Sequence, residues 1–209
     1  MQKLFDILHV KSHPKTIALI ALISALILET IEFIFEVRDE GFLYERLFTF
    51  IFDALVILFV IFSIIKNNIK VLEISIVVLK TFEGTFYPLI ACRRLDRIIA
   101  SDKVDTFYMV NHILFGVASA FMLIALIIYC VHKFTGTVRS WNLMKLAILI
   151  ASLVSFISAI MFTIETIRGT VIWEEVIGPY CLALMFFGVY ATCEYIEERA
   201  THVKKVNIA

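Results

Sequence analysis

Proline and glycine are scarce, with three and seven in 209 residues, so the chain has few places where a helix must break. Cysteine numbers four and shows neither a CxxC spacing nor a zinc-ribbon pattern, which argues against a small metal-stapled fold. Charge of one sign is also missing. Nineteen basic residues balance nineteen acidic ones, and the basic ones are scattered, so there is no nucleic-acid footprint. Water-soluble connecting segments are short, and none is long enough to fold alone.

What is present is apolar sequence. Hydrophobic residues make up 61% of the chain and mean hydropathy is +0.92, where a soluble domain holds about 45–50% apolar residues. Six stretches dominate: Thr16 to Val37, Leu47 to Ile65, Ile69 to Ala91, Thr106 to Val131, Leu143 to Ile167 and Val176 to Tyr195. A hydrocarbon core of about 30 Å needs about 20 such residues as a helix, and each stretch comes close to that length. The expected fold is therefore all-α: one polytopic transmembrane domain, residues 1–209, of six helices in the bilayer. The first stretch is too long for a signal-peptide core and ends in Glu29, Glu32 and Glu36, so it reads as a retained helix, with Pro14 in its first turn.

Orientation follows from lysine and arginine in short loops. With both termini in the cytoplasm, the inner segments carry Lys3, Lys11, Lys15, Lys66, Lys70, Lys133, Arg139, Lys145, Arg199, Lys204 and Lys205. The outer segments carry Arg38, Arg46, Arg93, Arg94, Arg97, Lys103 and Arg168. The balance favours cytoplasmic termini, although the third connection, with four basic residues, argues against it. Cys92 and Cys181 fall near the outer face, where an oxidising compartment would permit a disulfide; buried thiols are the plainer expectation.

The helices also echo one another. Residues 23–33 align with residues 74–84 without a gap, and Thr163-Ile164-Glu165 repeats the Thr-[Ile/Phe]-Glu triplet seen at Glu32 and Glu83. A threefold hairpin repeat would explain this. So would chance, because apolar helices draw on few residue types.

Ionisable residues within these stretches are the informative ones. Odd-numbered helices all cross in one direction, so Glu32, Glu83 and Glu165 fall in the same half of the bilayer, with Glu29 a turn deeper. Asp53 and His112 lie about 10 Å below the outer ends of the second and fourth helices. Lys80 sits at i−3 from Glu83 and can pair with it. A charged group near mid-bilayer costs roughly 2.5–3.5 kcal/mol on insertion scales. Glu29, Glu32, Asp53, Glu83 and Glu165 outnumber Lys80 and His112, so protein partners alone leave charge uncompensated. Either burial keeps several carboxyls protonated or a cation binds among them.

A stripe of Ala18, Ala21 and Ala25 leads up to Glu29 and Glu32, and Ala147, Ala151, Ser155 and Ser158 form another. Small residues let helices approach closely in lipid, so both stripes are expected to face protein.

The leading expectation is a small cation- or proton-coupled transport unit whose site comprises Glu29, Glu32, Asp53, Lys80, Glu83, His112 and Glu165. A divalent cation, if bound, would take Glu32, Asp53, Glu83 and His112. One alternative is a membrane-embedded, metal-dependent enzyme acting on lipid. Another is an accessory subunit whose polar groups only hold helices together; if Asp53 and Glu165 reach the interface, with Arg168 at i+3 from Glu165, most of the charge is accounted for. Expected partners are the lipid bilayer, a small ion or solute, and either other membrane subunits or further copies of the chain.

Overall fold

The computed structural model describes residues 13–40, 44–81, 84–85 and 106–206, and among these every regular element is helical. Helix α1 spans Pro14–Glu40 and α2 spans Tyr44–Ile65. Helix α3 covers 69–81, with 84–85 again helical. Helices α4 and α5 span Thr106–Thr135 and Val138–Ile167. A short 3-10 turn at Trp173–Val176 leads into α6, Ile177–Val206. Five of these helices are long and apolar enough to cross a membrane. The protein is thus an all-helical bundle of the multi-pass membrane type.

Local chemistry explains where the helices stop. Three ends carry a residue in the left-handed region: Asn67 (φ 55°), Gly136 (φ 62°) and Gly169 (φ 76°). At α5 the Thr170 amide donates to the Glu165 carbonyl and the Gly169 amide to that of Thr166, the paired bonds of a Schellman end. Asn67 and Asn68 close α2 in the same way, onto Ile64 and Ser63. Gly136 donates to His132, and Thr137 caps the next helix by accepting from the Ser140 amide at 3.4 Å. Two residues therefore suffice to turn α4 into α5.

The helices outrun the apolar stretches. α4 continues through His132 and Lys133, α5 starts at Val138 rather than Leu143, and α6 runs past Tyr195 to Val206. Hydropathy marks the part of a helix that prefers lipid, whereas the hydrogen-bonded end is set by its cap. At 1.5 Å per residue the 30-residue helices are about 45 Å long, so they tilt or project beyond a core of about 30 Å.

Helix α6 is the most enclosed, with every residue from Gly188 to Ile196 buried. It packs against α1 and α5, while α4 packs along α5 and α1 touches α2. Ala18, Ala21 and Ala25 are buried, as are Ala147, Ala151, Ser155 and Ser158. Large apolar side chains point outward on α1 to α5, among them Ile20, Phe59, Ile127 and Phe156, whereas none of the described side chains of α6 does so. Soluble monomers rarely expose apolar patches beyond a few hundred Å², so lipid is the natural solvent of this surface.

Candidate functional site

Two groups of ionisable side chains, one half-buried and one largely buried, lie along α6 at different levels. The first is formed with α1, which crosses α6 antiparallel. Gly188 admits Leu22 so closely that a Cβ there would stand 2.7 Å from its Cγ. Further along, the Cys181 thiol donates to the Ala25 carbonyl at 3.3 Å and to the Glu29 carboxylate at 3.1 Å. Beyond it, Glu32 lies against Gly178, where a Cβ would fall 2.5 Å from Oε1. Glycine at 178 is thus what lets the Glu32 carboxylate rest on the backbone of α6. Both glutamates are half-buried. Cys181 is engaged as a thiol, and Cys92 lies outside the described residues.

The other expected residues lie on further helices. Asp53 is buried on α2. His112 is half-buried, and its Nδ1–H donates to the Tyr108 carbonyl one turn back on its own helix, at 2.8 Å. Its neighbour Asn111 makes a polar contact between α4 and α5: the Ser158 hydroxyl donates to Asn111 Oδ1 at 2.7 Å, while Asn111 Nδ2 donates to the Phe107 carbonyl. Glu165 sits at the end of α5, ion-paired with Arg168 at 2.7 Å and accepting from the Thr170 hydroxyl at 2.8 Å. Glu83 lies outside the described residues. Among the described residues, no three His, Cys, Asp or Glu side chains gather in a way that could hold a metal ion.

Lys80 is fully buried. Its ammonium nitrogen lies 3.3 Å from the Met144 sulfur and 5.3 Å from the centre of the Tyr129 ring. Among the described residues no carboxylate reaches it. Glu73, one level lower on α3, turns instead to Lys133 at 2.6 Å.

The second buried group was not legible as a site in the sequence. Lys145 on α5 donates to Glu194 Oε1 at 2.9 Å and to Glu197 Oε2, both on α6. Tyr190 donates to the same Glu194 oxygen at 3.1 Å, and the Trp141 indole donates to Glu197 at 3.2 Å. Lys145, Glu194 and Tyr190 are buried, and Glu197 is half-buried. One ammonium thus serves two carboxylates. A signal was there: Trp141 and Lys145 stand at i and i+4, and Tyr190, Glu194 and Glu197 at i, i+4 and i+7. Each set occupies a single helical face. From Cys181 to Glu194 the helix rises about 20 Å, so the two groups lie in opposite halves of the bundle.

No family model matches the chain, and no curated protein or solved structure matches it.

Proposed function

We propose that the protein is a small proton-coupled membrane carrier with cytoplasmic termini, in which α6 bears one exchangeable station in each half of the bilayer. The outer station is Glu29 and Glu32 beside Cys181 and Gly178; the inner one is Lys145 with Glu194 and Glu197, next to the buried Lys80. A single observation carries the reading: ionisable groups are enclosed at both levels of one helix, where apolar residues would pack at lower cost. A carboxyl that gains a proton sheds the cost of its charge, so a chain of such groups can pass protons while remaining buried.

What supports protons over a chelated divalent cation is that no three His, Cys, Asp or Glu side chains gather among the described residues, while a hard ion needs several oxygens converging within about 2.0–2.6 Å. The test is flux in proteoliposomes. With a trapped pH dye, a potassium diffusion potential and a panel of inorganic cations, amino acids and sugars outside, wild type should acidify the lumen faster than protein-free vesicles. Glu32→Gln and Glu194→Gln should each lower that rate at least tenfold while the purified protein remains monodisperse. Wild-type flux equal to that of empty vesicles with every member of the panel overturns the proposal. Variants that lose stability without any flux to lose would point to the accessory-subunit reading.

A further inference from the structure

At the end of the bundle where α1 begins, side chains of two helices meet on one side-chain oxygen in a turn. Asn67 Oδ1, in the turn between α2 and α3, accepts from Lys15 Nζ at 3.0 Å, Arg199 Nη2 at 3.1 Å and the Tyr195 hydroxyl at 2.5 Å. Lys15 also lies over the Tyr195 ring at 6.0 Å, and Arg199 Nε donates to the Tyr195 hydroxyl at 3.3 Å.

This arrangement is unlike the other polar contacts of the protein. Arg38, Lys133, Lys145 and Arg168 each meet a carboxylate. Among the described residues Lys15 and Arg199 meet none. Two full cations instead converge on a neutral amide oxygen, which has two lone pairs for three donors. Among the described residues, their remaining N–H groups have no protein acceptor. Lys66 and Lys70 flank the same turn and are exposed. The local chemistry calls for an anion with several oxygens, and a phosphate supplies them.

Position identifies the bearer of that phosphate. Lys15 is in the first turn of a membrane-length helix, and Arg199 lies at the end of another. The site is therefore at headgroup level. Directly beneath it, the outward face of α2 presents Phe59, Phe62 and Ile65, all more than half exposed. The Lys66 ammonium stands 5.7 Å above the Phe62 ring, as a snorkelling lysine does at a lipid interface. We infer that Lys15 and Arg199, held together by Asn67 and Tyr195, form a binding site for the phosphate of an anionic phospholipid in the adjoining leaflet, its acyl chains lying on α2. This rests only on the bundle spanning a bilayer and is independent of proton coupling.

Lipid retention measures it directly. Full-length protein in detergent, exchanged against phosphatidylglycerol or phosphatidylcholine, is weighed intact by native mass spectrometry. Wild type should retain phosphatidylglycerol at least tenfold more than phosphatidylcholine, and Lys15→Gln with Arg199→Gln should erase that preference. Lys66→Gln, which leaves the Asn67 cluster intact, should keep most of it and controls for general loss of charge. Equal retention by wild type and the double variant overturns the inference. Displacement of the lipid by millimolar inorganic phosphate would also overturn it, because it would mean that a soluble phosphate fills the site without the chains. Proton flux enters none of these readings, so failure here leaves the carrier proposal to its own test.

Discussion

Lys145 shows how much depends on a single buried charge. Removing one partner of an enclosed ion pair typically costs about 3 kcal/mol or more, because the survivor is left uncompensated. Lys145→Met leaves Glu194 and Glu197 with Tyr190 and Trp141 as donors. A loss of about 3 kcal/mol is expected, read as a lowered unfolding midpoint in detergent followed by tryptophan fluorescence. Adding Glu194→Leu should recover most of it, since Glu197 can reach water. Equal midpoints for the single and double variants would show that the pairing is not the source. Lys80 should behave in the opposite way. Among the described residues it meets sulfur and an aromatic ring but no acid, so Lys80→Met keeps the volume and removes a group that is costly to bury. Unchanged or raised stability is expected, and a loss comparable to that of Lys145→Met would reveal a charge partner. At this scale the sequence was partly readable. It marked Lys80, Glu29 and Glu32 as unusual, but Lys145, at the start of the fifth apolar stretch, counted among the inner-loop cations, and Glu194, next to the end of the sixth, did not stand out. Asn111, beside His112, contacts α5 and did not stand out in the sequence. One residue is a turn of 100° about the axis, and hydropathy does not fix helical phase that finely.

Among the elements, α6 owes its central place to glycines that let its neighbours approach, and similar contacts join α3 to α4. At Gly84 a Cβ would stand 2.8 Å from both the Cα and the amide nitrogen of Leu123, so backbone must move. At Gly188 the obstacle is chiefly the branched end of Leu22. At Gly178 it is the carboxylate of Glu32, the far end of a flexible side chain. Alanine substitutions should therefore destabilise in the order Gly84, Gly188, Gly178, with about 1–3 kcal/mol for the first, as overpacking commonly costs. Thermal midpoints of the three variants in one detergent check the order. A Gly178→Ala protein as unstable as Gly84→Ala would mean that Glu32 has no room to turn. Only the small-residue stripes were visible beforehand. Which glycine meets which backbone depends on helix pairing, and α1 pairs most extensively with α6, the helix farthest from it in sequence. No periodicity within either helix states that.

At the scale of the molecule, charge among the described residues is sorted by face. At one end the described surface cations are Lys15, Lys66, Lys70, Arg139 and Arg199, together with Lys133 paired to Glu73. At the other end Arg38 and Arg168 are each neutralised, by Glu174 and Glu165. Lys145 drops out of the tally because it is drawn inside and paired. Acids weigh little in the rule that places basic loops in the cytoplasm, yet among the described residues the remaining uncompensated cations still cluster at the end where α1 begins. That end should face the cytoplasm, and the phosphate site would then lie in the inner leaflet, where anionic lipid is enriched. Single cysteines decide it. In a protein carrying Cys92→Ala and Cys130→Ala, Ile172→Cys lies in the exposed connection after α5 and Arg139→Cys at the exposed start of that helix. A membrane-impermeant maleimide added to intact cells should label the first readily and the second only after permeabilisation. The reverse pattern would invert the protein, move the lipid site to the outer leaflet, and place the Glu29–Glu32 station toward the cytoplasm.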